Sequence, residues 1–308
     1  MLKRGLLFLG VVLAVYAVAV LCLSHVVCSG RALIFRTGDY YNWPGGDTWA
    51  RFRAFDRSVE WDAVIIGSSH AYRGYDPAVF AEQGYNVYNL GSSAQTPLNS
   101  YHIIKHYLDS AHCPLLIFDV YEGIFLNTGL ESTADLTQNI TSDKAALGMA
   151  WGLRDLRGLN MMALRWAVRH RRPYYESPHP VVKGFVALPD SVTRALLPAR
   201  NSTLVLQERQ KELFRQCVRL CQERGIRMVV AQHQARKGTN AERHAAFTAF
   251  IDSSLAGTSI PNLDLTFAPG LHDLHHFADH NHLNAAGARI FTGQLVDSLE
   301  ALGWLSRP

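Results

Sequence analysis

Two short stretches of this sequence carry the residue types of acyl-transfer chemistry. In "FADHNHLNAAGARIF", residues 277–291, an acid and an imidazole stand three positions apart, Asp279 and His282, just ahead of what reads as the start of the last helix. At that spacing the carboxylate can meet the imidazole Nδ1. Far upstream, "VIIGSSHAYRG" puts Gly67, Ser68, Ser69 and His70 where an apolar run ends. A serine is a weak nucleophile until an imidazole takes its proton and a carboxylate orients that imidazole. A third stretch, "NLGSSAQ", adds Gly91, whose backbone can approach a ligand closely and whose N–H is a candidate oxyanion donor. Each stretch also has a plainer account, because Ser, Asp and Asn favour helix starts as caps. The three together outweigh that account only if the fold brings both ends of the chain to one cleft.

The order of elements predicts such a fold. "DAVIIGSS" (62–69), "YNVYNLGSS" (85–93), "PLLIFDVYE" (114–122) and "IRMVVAQHQ" (226–234) are short apolar runs rich in β-branched residues, and "NLDLTFA" (262–268) is a weaker fifth. Helix-like stretches at 97–111, 205–224, 241–255 and 284–302 lie between or after them. Continuous apolar strands alternating with helices predict an α/β fold, a parallel sheet covered on both faces. In such sheets ligands sit beyond the carboxyl ends of the strands, where the Gly-Ser-Ser turn falls. The span 125–200 contains no clear strand and is too long for an ordinary crossover, so a helical insertion is expected there.

The first segment bears on compartment. After Lys3 and Arg4, residues 5–27 read "GLLFLGVVLAVYAVAVLCLSHVV", and about 20 apolar residues suffice to span a bilayer. The small-x-small site at Ala17–Ala19 leaves further apolar residues after it, which favours an uncleaved anchor over a cleaved signal peptide. Residues 1–30 are therefore expected to be a transmembrane anchor, 31–60 an irregular linker rich in aromatics and arginine, and 61–308 a domain held outside the cytoplasm. The 308 residues, 48% hydrophobic and 18% charged, are enough for one large domain. A net charge of +4, with no basic block longer than "RHRR" (169–172), gives no support to a nucleic-acid partner. Five cysteines spell neither a disulfide framework nor a zinc ribbon.

Taken in order and at their distances, "VIIGSSHAYRG", "NLGSSAQ" and "DHNHLNAAGARIF" resemble the first, second and last sequence blocks of the SGNH, or GDSL-like, hydrolase superfamily. The resemblance covers most of 62–302 apart from the insertion, and its most specific part is Asp-x-x-His-Leu-Asn-x-x-Gly. It implies a three-layer flavodoxin-like fold with Ser69 as nucleophile, His282 as general base and Asp279 as its orienting acid. The N–H groups of Ser69 and Gly91 would form part of the oxyanion hole. Ser68 stands where the family name has Asp, and the third strand, "LIFDVYEGIFLN", lacks the Asn that the family's third block supplies as a donor. Asn127 is the nearest substitute.

Other candidates surround this constellation. His70 and His233, at strand ends facing the expected cleft, are candidate substrate contacts or polar lining. In the insertion, Arg169, Arg171, Arg172, Tyr174 and Tyr175 of "RWAVRHRRPYY" (165–175) are either a solvated helix face or a cleft wall suited to sugars or an anionic polymer. The histidines at 272, 275, 276, 280 and 282 meet no established zinc spacing, so no metal is expected, and no cofactor. The resulting expectation is a membrane-anchored esterase or O-acyltransferase acting on acyl, most plausibly acetyl, esters of cell-envelope carbohydrate, with an acyl-donor partner where transfer applies. The rival from another class is a non-catalytic carbohydrate-binding or scaffold protein on the same fold, which the incomplete third block favours.

Overall fold

The computed structural model describes residues 1–28, 31–33, 44–168, 176–177, 179–189, 204–235 and 240–305. A long apolar helix, α1 (Leu2–His25), is followed by a minimal antiparallel pair, β1 (Val27–Cys28) and β2 (Arg31–Ala32), and by helix α2 (Gly46–Ala54). The alternating part runs β3 (Ala63–Ile66), α3 (Ser69–Gly74), α4 (Pro77–Glu82), β4 (Val87–Asn89), α5 (Pro97–Tyr107) and β5 (Leu115–Val120). Four helices come next: α6 (Glu122–Leu126), α7 (Leu130–Asn139), α8 (Asp143–Gly152) and α9 (Leu156–Val168). The chain then gives α10 (Glu208–Glu223), β6 (Arg227–Gln232), α11 (Ala241–Leu255), β7 (Asn262–Asp264) and α12 (Ala285–Ala301).

β3 to β7 form one five-stranded sheet in the order β4-β3-β5-β6-β7, with every neighbouring pair parallel. All five apolar runs of the sequence are strands of this sheet. Its residues divide between two cores with the period of two that a pleated strand imposes. Val64 and Ile66 of β3, with Leu116, Phe118 and Val120 of β5, pack under Ile103 and Ile104 of α5 and Phe214 of α10. Ala63 and Ile65, with Leu115 and Ile117, face Phe80 of α4 and Phe291 and Leu295 of α12. Burial on both faces is why these strands read as unbroken apolar runs.

The strand order reverses between β3 and β5, so the chain leaves those two strands toward opposite edges. In sheets of this topology the carboxyl ends of those two strands are where ligands bind. Gly67, which ends β3, takes φ +154°, and a Cβ there would lie 2.8 Å from the Asp119 Cβ of β5. The backbone turn into α3 is thus pressed directly against the neighbouring strand.

The described part of the segment before β3, residues 44–60, contributes to the core. Thr48, Arg51, Phe52 and Phe55, at helical spacing on and just after α2, are all buried, and Phe55 stacks on Trp61 at 5.9 Å. The pattern was hidden because Arg51, a residue normally placed at the surface, is fully enclosed. Its Nε donates to the Gly184 carbonyl at 2.8 Å, and its guanidinium lies 4.2 Å from the centre of the Tyr72 ring.

Candidate active site

Ser69 sits at the first turn of α3. Ser68 caps that helix by accepting the His70 N–H at 3.2 Å, which places Ser69 just past the carboxyl end of β3. Its own N–H, one of the first of the helix, has no acceptor within it.

His282 arrives from the other end of the chain on a tight hairpin. Phe277 and Leu283 pair across it, the Ala278 N–H donates to the His282 carbonyl at 2.9 Å, and both apolar residues are buried. The Asn284 side chain accepts the Gly287 N–H to start α12 and donates to the His275 carbonyl, tying the hairpin to the helix. Thr292 of α12 accepts the Asp76 N–H at 2.9 Å, which sets the register of α12 against the end of α3.

These contacts bring three side chains into one hydrogen-bonded line. The Ser69 Oγ lies 2.8 Å from His282 Nε2, and His282 Nδ1 lies 2.7 Å from Asp279 Oδ2. Burial opposes ionisation of Asp279. The bond from His282 and the N–H groups of Asn281 and His282 on Oδ1 outweigh it and hold the carboxyl well below the usual carboxylate range. With that carboxylate ionised, the imidazole proton resides on Nδ1. Nε2 is then the acceptor for the Ser69 hydroxyl. The arrangement can lift a proton from Ser69 and return it to a leaving group.

The other expected donors are occupied. The Gly91 N–H donates to Asn89 Oδ1 at 3.0 Å, and the Asn89 amide in turn donates to the carbonyls of Ala71 and Tyr75. A side-chain oxygen two residues back has captured the N–H that the sequence offered as an oxyanion donor. Asn127 ends α6 with its Nδ2 bound to the Gly123 carbonyl at 2.9 Å and its side chain exposed.

His70 and His233 are both almost fully buried. Their rings stack at 4.7 Å and 8°, and the His70 ring meets His282 edge-on at 5.3 Å. Burial, then the neighbouring His233 and His282, keep the His70 imidazole well below its usual range, so it is neutral. Arg169, Arg171, Arg172, Tyr174 and Tyr175 lie outside the described residues.

Two further residues escaped the sequence reading. Asp119, fully buried near the end of β5, accepts from Tyr75 at 2.9 Å and binds His233 Nδ1 at 2.8 Å. Tyr121, two residues further on, packs its ring 4.1 Å from His70 and hydrogen-bonds Ser68. Burial, with the Asp119 charge, pushes its phenol up to about 12. A signal existed: Asp119 is a charge inside the apolar run "LLIFDV", and a buried charge needs a partner.

The sequence matches no family model and no curated protein. The solved structures that align with it include two of low similarity. One, from Bacteroides fragilis, is provisionally described as an acylhydrolase; it is 12% identical over 79% of this chain and 88% of its own, with a TM-score of 0.42. The other is a gut microbial diltiazem-metabolizing enzyme, 7% identical over 79% of this chain and 47% of its own, so this chain spans about half its length, with a TM-score of 0.29. Likeness this slight carries no argument about chemistry, and the site must be read from its own geometry.

Proposed function

We propose that the protein is an SGNH-type serine esterase or O-acyltransferase, on a flavodoxin-like sheet, anchored in a membrane by α1. The observation that carries this reading is the unbroken line from Ser69 through His282 to Asp279, drawn from opposite ends of the chain to the carboxyl end of β3. Ser69 Oγ attacks the ester carbonyl as its proton passes to His282 Nε2. The imidazolium is stabilised by Asp279 and then protonates the departing alkoxide, leaving an acyl-serine. Water, or the hydroxyl of a sugar, next gives its proton to His282 and takes the acyl group. The Ser69 N–H is one donor to the oxyanion. The Tyr121 hydroxyl, which hydrogen-bonds Ser68 beside the nucleophile, becomes the second by exchanging that partner for the oxyanion.

The substrate class is part of the same proposal: acyl, most plausibly acetyl, esters of cell-envelope carbohydrate. Support comes from α1, 24 residues with a mean hydropathy of 2.9 in its most apolar window, which fits a span that holds the domain beside such polymers. The rival reading of a non-catalytic binder draws on the Gly91 N–H being occupied.

A fluorophosphonate probe on the full-length protein separates the two. Labelling at Ser69 that is lost in His282→Ala supports the esterase. Folded protein that never labels supports the binder. With labelling in hand, an oligosaccharide acceptor that diverts acetyl from water to sugar, followed by mass spectrometry, distinguishes transfer from hydrolysis.

A further inference from the structure

The outer surface of α8 and α9 does not have the composition of a solvated surface. Around α9, Gly158, Met161, Met162, Leu164, Arg165 and Val168 are buried against the domain. At 100° per residue, the opposite face is made by Leu156, Leu159, Asn160, Ala163, Trp166 and Ala167. A solvated helix would carry charge there, yet Asn160 alone is polar. Leu156 is 83% exposed and Trp166 55%, and the neighbouring α8 adds Leu147 and Trp151, the latter 75% exposed. A helix apolar on both faces is stable only when both are covered.

The structure also indicates what covers the outer face. α1 packs against α9, and its Tyr16 hydroxyl donates to Asn160 Oδ1. Tyr16 lies nine residues before the end of α1 at His25, about 14 Å along the axis. A bilayer crossed by α1 therefore reaches the level of α9 and cannot stop short of it. The exposed Trp151, Leu156, Leu159 and Trp166 are side chains that acyl chains would cover, and the exposed Arg157 beside them is paired with Asp155.

We infer that the outward face of α9, with Leu147 and Trp151 of α8, is a lipid-binding platform seated in the outer leaflet of the bilayer that α1 crosses. The inference rests on reading α1 as a span. The helical insertion then fixes how the domain sits on the membrane, where a flexible tether would let it tumble.

The test uses full-length protein in phosphatidylcholine and phosphatidylglycerol vesicles with or without brominated acyl chains. Trp151 and Trp166 are two of six tryptophans and α1 has none, so roughly a third of the emission is expected to be quenched by bromine. That fraction should vanish in the Trp151→Phe/Trp166→Phe protein, whose circular dichroism reports an intact fold. Protein that stays with the vesicles through a carbonate wash but shows no quenching from these two residues overturns the platform and leaves the anchor standing. Release by carbonate overturns the anchor reading and the platform with it. An unquenched face, combined with a detergent-stable dimer that Trp166→Glu dissociates, would assign the surface to a second copy of the chain and also overturn the inference.

Discussion

Two of the acid–imidazole pairs among the described residues, Asp279–His282 and Asp119–His233, are nearly equal in length, and their surroundings give them different work. Asp279–His282 is 2.7 Å long, with side chains 42% and 19% exposed, and its free imidazole nitrogen meets a serine hydroxyl. Asp119–His233 is 2.8 Å long and sealed, and among the described residues its outer nitrogen, His233 Nε2, finds no partner. The first pair can exchange a proton with a substrate. The second is enclosed by Tyr75, His70 and Phe291 and can only hold its neighbours in place. Identical chemistry becomes a candidate catalytic device or a structural one according to whether its far end meets a serine hydroxyl.

The largest expected effect tests the open pair. Ser69→Ala or His282→Ala should each lower kcat/KM on an aryl acetate by about 10³-fold or more, with the double variant scarcely worse, because the residues act in one proton relay. Asp279→Asn should lose about 10²- to 10⁴-fold with an unchanged circular dichroism spectrum. Retention of full activity in Ser69→Ala would remove the mechanism.

Stability should show the reverse ranking. Asp119→Ala leaves His233 and the Tyr75 hydroxyl buried without their acceptor and should cost about 3–5 kcal/mol in urea unfolding. Asp279→Ala, at a half-exposed position, should cost no more than about 1 kcal/mol. If Asp119→Asn silenced turnover while leaving stability intact, the roles assigned to the two pairs would have to be exchanged.

A third measurement sharpens the comparison through pH. His70 binds its proton less readily folded than unfolded, so its contribution to stability is fully present above the unfolded value near pH 6.5 and is lost as pH falls below it. His70→Gln should flatten the stability curve between pH 6.5 and 5 by up to about 1.4 kcal/mol per pH unit. Asp279 behaves differently. Its lowered folded pKa confers stability that persists above the unfolded value near 3.9 and declines only below it. The two losses should therefore occupy separate pH windows, and a single transition common to both variants would contradict the separation.

The smallest effect concerns Asn127. Its amide is spent on the Gly123 carbonyl, so Asn127→Ala should change kcat by less than about 3-fold, whereas removing a true oxyanion donor costs about 10²- to 10³-fold. A loss of that larger size would restore Asn127 to the site and displace Tyr121 from the part proposed for it.

Much of this protein was legible in one dimension. The apolar runs of β3 to β6 needed only their composition, since a strand buried on both faces has no polar side to show. Asp279 and His282 were readable as a pair because three residues of hairpin suffice to close a 2.7 Å bond, a local matter. What the sequence alone could not decide depended on partners distant along the chain. Gly91 looked like a free donor until the Asn89 side chain, locked by carbonyls of α3, turned its oxygen onto that N–H. The sequence could not show that His233 bonds Asp119, 114 positions away, in a buried pair. Arg51, in a segment read only as rich in aromatics and arginine, is enclosed by the Gly184 carbonyl and the Tyr72 ring. Residue types set which hydrogen bonds each group is able to make. Which of them it does make was decided by tertiary packing, because a buried donor or acceptor can pair only with what the fold brings within about 3 Å.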